Sequence, residues 1–251
     1  FDSARDHITA LKSQMLHIPY LAEIGNEKLL ADYEKAAKVE DKVFLGYLYE
    51  QKKVYGLDYD DLITIALYIL QTDETKRIKW QERMMYVMVD EFQDVSSSQY
   101  ALAEILSGYH RNLFIVGDPD QTIYTWRGAQ IEYILEFDET HENTRTIFLD
   151  MNYRSTPEIL AVSNSLIEKN KKRLPHRLEA YKESGRRPIY IHSRTTGDEA
   201  QWMTSEIQRL VSEGASYNEM AVLYRSHFVS RNIEESFIKA KIPYTLYSGV
   251  E

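Results

Sequence analysis

"RMMYVMVDEFQDVSSSQY", Arg83 to Tyr100, is the stretch on which the fold turns. An apolar run from Tyr86 to Val89 stops at Asp90 and Glu91, and a helix-like pattern, "SSQYALAEILSGY", follows the serines. A second run of the same kind, "LFIVGD" from Leu113 to Asp118, ends in a Gly-Asp turn. Strand, helix, strand is a β-α-β unit. Runs apolar on both faces are expected of parallel strands buried in mid-sheet, and such sheets bind ligands at the loops after the strands' carboxyl ends.

Upstream the pattern is helical. "HITALKSQML", "NEKLLADYEKAAKVEDKVFLGYLYEQKKVYG" and "YDDLITIALYILQ" carry apolar residues at three-to-four spacing, with Gly25 and Gly56 as punctuation. Downstream, from Thr146, strands and helices alternate: "TIFLD", "TPEILAVSNSLIEKN", "PIYIHS", "DEAQWMTSEIQRLVSEG", "MAVLYRS", "SRNIEESFIKAKI" and "YTLYS". These crossovers predict a second parallel sheet. The polar "EFDETHENTR", Glu136 to Arg145, reads as the boundary.

The whole chain has 251 residues, enough for two modest domains, with 43% hydrophobic and 27% charged residues. No apolar run approaches the roughly 20 residues of a membrane-spanning helix, so no membrane partner is expected. Cysteine is absent, which removes disulfides and thiolate metal sites and fits a reducing compartment, the cytoplasm by default. Phe1 is followed by no charged-then-apolar leader, so the expectation is a chain without a secretion signal and with arbitrary ends. The net charge of −9 argues against a surface that grips nucleic acid everywhere. Local patches remain. The richest is "KNKKRLPHR", Lys169 to Arg177, with Arg186 and Arg187 beyond, and it suits a solvated helix end as well as a DNA contact.

An acid at the end of a buried strand is where a nucleotide-binding sheet holds Mg²⁺, and Asp90 fits that place. Glu91 beside it suits a general base that orients water. A bare Val-Asp-Glu more often marks a strand ending in a solvated acidic turn. The second run adds "LFIVGDPDQTIYTWRGA", with a Gly-Asp turn, Gln121 and an aromatic-arginine cluster. Tyr124, Trp126 and Arg127 have the makeup of a single-stranded DNA contact, in which bases stack on rings and Arg meets phosphate, although a Trp taken singly is more often a core residue.

Together these segments resemble the UvrD/Rep/PcrA family of superfamily 1 DNA helicases. "VDEFQD" is similar to the family's motif II, "VGDPDQTIYTWRGA" to motif III and "LDMNYRST" to motif IV, while "YDDL" and "MAVLYRSHFVSRNIEESFIKAKIPY" resemble further family blocks, from Tyr47 to Gly249 in all. The resemblance implies an α/β fold of two RecA-like parallel-sheet domains of the P-loop NTPase type, both incomplete, with a helical N-terminal region. The implied divisions are 1–55, helical accessory part; 56–140, first motor domain; and 141–251, second motor domain. It implies ATP and Mg²⁺ as cofactors, and single-stranded DNA and DNA junctions as partners. Protein partners are unspecified. By position, Asp90 would bind Mg²⁺, Glu91 would activate water and Gln121 would touch the γ-phosphate and couple it to DNA. Arg154 matches the arginine finger, and Tyr153 matches the aromatic near adenine. Tyr124, Trp126 and Arg127 would meet DNA.

The family's G-x-x-x-x-G-K-[ST] phosphate loop is missing, since none of the ten glycines is followed by Lys. The expectation is therefore a central helicase fragment, inactive alone, with apolar sheet edge left exposed. The alternative is a DNA- or partner-binding module that has lost its phosphate loop. A helicase-nuclease portion is a third reading. His7, His17, His110, His141, His176, His192 and His227 show no metal-ligand spacing and read as surface or packing residues. Asp94 is expected to cap or orient the helix after it, with Ser96 to Ser98 as its start. No Gly-x-Ser-x-Gly turn supports a serine nucleophile.

Overall fold

A computed structural model describes residues 2–247, and the side chains of Asp2 and Arg127 lie outside the described part, as do Phe1 and Ser248 to Glu251. The chain divides into two compact units between Ser184 and Gly185. That division falls inside the segment that sequence assigned to its second motor domain.

The first unit begins with six helices: α1 (Asp2–Ser13), α2 (Ile18–Ala22), α3 (Asn26–Lys35), α4 (Val39–Lys53), α5 (Tyr59–Thr72) and α6 (Glu74–Arg83). The long helical pattern from Asn26 to Gly56 breaks at Ala36, which is extended (φ −60, ψ 126), so that α3 and α4 pack on each other through Leu29, Phe44, Leu45 and Leu48. Ile8, Leu11, Tyr20 and Ile24 close this core. Asp58 starts α5 as one half of a capping box with Asp61, which satisfies backbone donors that the first turn leaves unpaired.

Strand β1 (Val87–Val89) pairs in parallel with β2 (Leu113–Ile115), in the register Val87 with Leu113, Met88 with Phe114 and Val89 with Ile115. Helix α7 (Ser97–Ser107) joins them, with Ser96 as its cap and Gln99 completing a capping box. The β-α-β unit thus forms where the sequence placed it. Asp94 is not the cap, because Ser96 already supplies the oxygen for the Gln99 N–H. One Asp94 carboxylate oxygen is instead buried without a hydrogen-bond partner.

The strands are not buried on both faces. Val89, Leu113 and Ile115 turn toward a core of Phe92, Val95 and Phe137, whereas Met88 is 75% exposed and Phe114 60%. Side chains alternate along a strand, and among the described residues only one face of this pair is covered. After the short helices α8 (Glu132–Leu135) and α9 (Phe137–Thr140), strand β3 (Met151–Asn152) pairs in parallel with β4 (Glu179–Ala180) across α10 (Pro157–Ile167). Buried Asn164 on α10 donates to the Leu178 carbonyl at 3.0 Å and ties the helix to the crossover.

The second unit packs α11 (Thr196–Ser212) and α12 (His227–Ala240) around Ala200, Ile233, Phe237 and Ile242. In the first unit "TIFLD" leads directly into β3, its Asp150 carbonyl accepting the Glu179 N–H at 2.8 Å, whereas "PIYIHS", "MAVLYRS" and "YTLYS" form no ladder among the described residues, and Ser248 of the last lies outside them. Apolar alternation marks the face a segment would bury. It does not supply the neighbour whose backbone must complete the hydrogen bonds. No helix among the described residues is long and apolar enough to cross a membrane.

Candidate functional site

Asp90 follows β1 at its carboxyl end and is exposed, with Oδ1 accepting the Glu91 N–H at 2.8 Å. Glu91 is also exposed and adopts a left-handed backbone (φ 50, ψ 44), a conformation that costs a non-glycine residue energy and that clusters at functional turns. The turn is held from below. Phe92 is fully buried, edge-on to Tyr100 and Phe137, and its N–H donates to the Val116 carbonyl at 3.0 Å. Neither Asp90 nor Glu91 has an ion pair among the described residues.

Gln93, two residues beyond Glu91, is 1% exposed. Its Nε2 donates to Glu91 Oε2 at 2.7 Å, and its Oε1 accepts the Asp118 N–H, in the turn after β2, at 3.0 Å. The Asp118 carboxylate accepts from the Asp120 N–H at 2.9 Å and from Gln121 Nε2 at 2.7 Å. Gly117 has to lack a side chain here, since a Cβ would collide with Gln93 Oε1 and the Phe92 nitrogen. Glu91 and Gln121 are thereby joined through Gln93 and Asp118.

Asp120 turns the other way. Its Oδ2 meets Arg173 Nη2 at 3.0 Å and Nε at 3.2 Å, with little of either side chain exposed. Lys172 pairs with Glu132 at 2.8 Å. Two cations of the basic run are therefore held by acids of this unit. Asp118, Asp120 and His176 bring potential ligand atoms within 4.8 Å of one another, but Arg173 already supplies the positive charge that Asp120 faces.

Trp126 is 72% exposed and Tyr124 37%, with ring centroids 6.4 Å apart and tilted by 57°. Trp126 thus lies outside any core. The Arg127 side chain lies outside the described part. Tyr153 and Arg154 follow β3, both exposed, where Asn152 Oδ1 accepts the N–H groups of Arg154 and Ser155 at 3.0 and 2.7 Å. The Tyr153 ring lies 4.9 Å from that of Tyr181. No hydrogen bond or ion pair joins Arg154 to Asp90, Glu91 or Gln121 among the described residues.

A second polar cluster escaped the sequence reading. Lys12 is fully buried, and its ammonium uses all three donors, on Gln51 Oε1 at 3.1 Å, Asp58 Oδ2 at 2.5 Å and Asp61 Oδ1 at 2.8 Å. Burial pushes the Asp58 carboxyl up, and hydrogen bonds from Lys12 and Tyr47 outweigh it, holding Asp58 at about 2. Burial and the Asp58 contact raise the Tyr47 phenol. His17, also fully buried, faces Asp61 at 3.2 Å and Thr64 at 3.1 Å, and burial lowers its pKa. Its Nδ1 has no partner, so protonation there would bury a donor without an acceptor.

The UvrD/REP helicase N-terminal domain family matches residues 2–142, and the UvrD-like helicase C-terminal domain family matches residues 147–251. The chain is 40% identical over 207 residues to ATP-dependent DNA helicase PcrA of Staphylococcus epidermidis, covering 82% of this chain and 28% of that protein. It is 38% identical over 224 residues to the PcrA of Leuconostoc citreum, covering 87% and 30%. Against PcrA of Staphylococcus aureus it is 36% identical over 240 residues, covering 93% and 33%. The chain spans 28–33% of the length of these relatives.

Proposed function

The chain belongs to the UvrD/REP helicase family, and from that premise we propose that it forms part of the motor of an ATP-dependent DNA helicase that moves 3′ to 5′ on single-stranded DNA and unwinds duplexes at junctions. The observation that carries this reading is the pair of exposed acids after β1, without an ion pair among the described residues, with Glu91 linked through buried Gln93 to the Gln121 turn after the neighbouring parallel strand. In a RecA-like half, that is where phosphates and water meet the strand ends.

Asp90 fits Mg²⁺: it is an exposed oxygen donor, only one of whose oxygens takes the Glu91 N–H, and a magnesium ion that keeps several waters asks for one or two such carboxylates. Bound there, the ion supplies positive charge to the phosphate oxygens. Glu91 orients and deprotonates the attacking water, Gln121 offers its amide to the γ-phosphate, and Arg154 supplies donors to the phosphoryl oxygens. Tyr153 stacks on adenine. Tyr124, Trp126 and Arg127 receive bases and phosphate with little sequence preference. No residue of the chain forms a Gly-Lys cradle for the triphosphate, so the chain alone is expected to bind Mg-ATP negligibly, and micromolar binding by calorimetry contradicts that.

The test is DNA-stimulated ATP hydrolysis by the full-length protein that contains this chain. Glu91→Gln is expected to abolish DNA-stimulated turnover while single-stranded DNA still binds. Undiminished turnover in that variant overturns the assignment. The second reading is a DNA- or partner-binding module without catalysis. A wild-type parent protein that binds DNA and never hydrolyses ATP would establish it.

A further inference from the structure

We infer that Gln93 is a positioning residue that makes the orientation of Glu91 depend on the turn carrying Gln121. This rests on the function proposed above and deepens it.

A glutamine in an acidic, exposed turn could simply face water. Gln93 instead lies at 1% exposure with each end of its amide assigned. Nε2 donates to the Glu91 carboxylate at 2.7 Å, and Oε1 accepts the Asp118 N–H at 3.0 Å. Asp118 in turn holds Gln121 Nε2 at 2.7 Å. The amide can serve both ends because it alone among side chains of this length is both donor and acceptor without charge. Glu or Lys would lose one end and bury a charge.

The surrounding backbone keeps the link taut. Val116 donates to the Val89 carbonyl at 2.9 Å and Phe92 to the Val116 carbonyl at 3.0 Å, which fixes the spacing of the two strand ends. Gly117 leaves room for the amide, since a Cβ there would strike Gln93 Oε1. The left-handed backbone of Glu91 sets where its carboxylate starts, and Gln93 sets where it ends. When Gln121 engages phosphate, the movement of its turn reaches Glu91 through one buried side chain.

The experiment compares wild type, Gln93→Leu and Gln93→Glu in the full-length protein. It measures thermal unfolding, KM for Mg-ATP, the affinity for single-stranded DNA, and kcat with and without that DNA. Gln93→Leu keeps the volume and removes both hydrogen bonds. The expected result is a fall of about 10- to 100-fold in DNA-stimulated kcat, the scale of a misplaced catalytic group, with KM and DNA affinity within threefold. Gln93→Glu keeps the length and the acceptor for Asp118 but sets like charge against Glu91, and it loses at least as much. A purely structural Gln93 lowers the unfolding temperature without this selective loss. A folded Gln93→Leu with DNA-stimulated kcat within twofold of wild type overturns the inference, as does a Gln93→Glu that restores it. If Gln93→Leu does not fold, Gln93→Glu decides, by the same readouts. A wild type without DNA-stimulated turnover overturns the functional reading itself. An active wild type indifferent to Gln93 overturns this inference alone.

Discussion

Two pairs of acids close together in this chain meet opposite fates. Asp58 and Asp61 turn inward onto Lys12, with Tyr47 and Gln51 completing their hydrogen bonds. Asp90 and Glu91 sit exposed after β1 and have no cation in an ion pair among the described residues. The chemistry of the side chains is the same, so the difference lies in what folding brings near. A buried acid needs a partner within the fold, whereas an acid left in solvent can keep its charge for a ligand. The first pair therefore serves stability. The second is free to serve chemistry.

Removing the cation is the largest way to break this comparison. Lys12→Met leaves the Asp61 carboxylate buried without its counter-charge, and losing one partner of a buried pair costs about 3–5 kcal/mol. Urea unfolding followed by circular dichroism should show that loss. A change under 1 kcal/mol contradicts the assignment of Lys12 as the keystone of the helical region.

Acid should separate the two pairs next. The folded pKa of His17 lies below its ordinary 6.5, so below that pH the unfolded chain takes up a proton that the folded chain resists, and stability falls as pH drops through this range. Asp61, Asp58 and Asp60 favour the charged ring, while burial and Lys12 oppose it. Asp58, held at about 2 against an ordinary 3.8, adds stability that is intact above about pH 4 and lost as pH falls toward 2. His17→Gln, which keeps a polar group against Asp61 and Thr64, should remove the first decline and leave the second. An unchanged profile between pH 7 and 5 contradicts the role of His17.

These contacts also show what the sequence could and could not disclose. The apolar spacing of α1, α4 and α5 was legible, as were β1, α7 and β2, because local periodicity and Ser96 as a cap mark them. The break at Ala36 was not, since two alanines carry no stop signal and only packing of Leu29 on Leu48 requires it. Lys12 drew no reading and His17 read only as a surface or packing residue, because the partners that surround them lie 39 to 49 positions away in chain order. Gln93 was hidden for the same reason: its acceptor role depends on the Asp118 N–H, 25 positions on. Residue type alone read Trp126 as a core residue and the acids after β1 as a solvated turn; only the resemblance of "VDEFQD" and "YTWRGA" to family motifs pointed to chemistry, and the exposure of Trp126 came with the structure. Arg173 was read as part of a basic run, and its pairing with Asp120 depends on tertiary structure.

That pairing gives a smaller, sharper comparison between the Asp120 side of the turn and its Asp118 side. Arg173→Met removes charged hydrogen bonds to a largely buried carboxylate, and a loss of about 1–3 kcal/mol is expected. The double variant with Asp120→Asn should recover part of it, since no carboxylate is then left there without a counter-charge. Equal losses in the single and double variants contradict a direct interaction.

The smallest effect falls on the exposed pair, and its smallness is informative. Glu91→Gln keeps the length and an oxygen toward Gln93 Nε2, in a side chain that solvent already reaches. With that hydrogen bond to buried Gln93 kept by the amide oxygen, a surface change of this kind moves stability by less than about 0.5 kcal/mol. Lys12→Met should therefore cost several times more than Glu91→Gln in the same unfolding experiment, although only Glu91→Gln is expected to end turnover. Opposite rankings in stability and activity are what a division of labour between the two acid pairs requires. A Glu91→Gln variant as unstable as Lys12→Met would mean that the turn after β1 is built for the fold and not for a ligand.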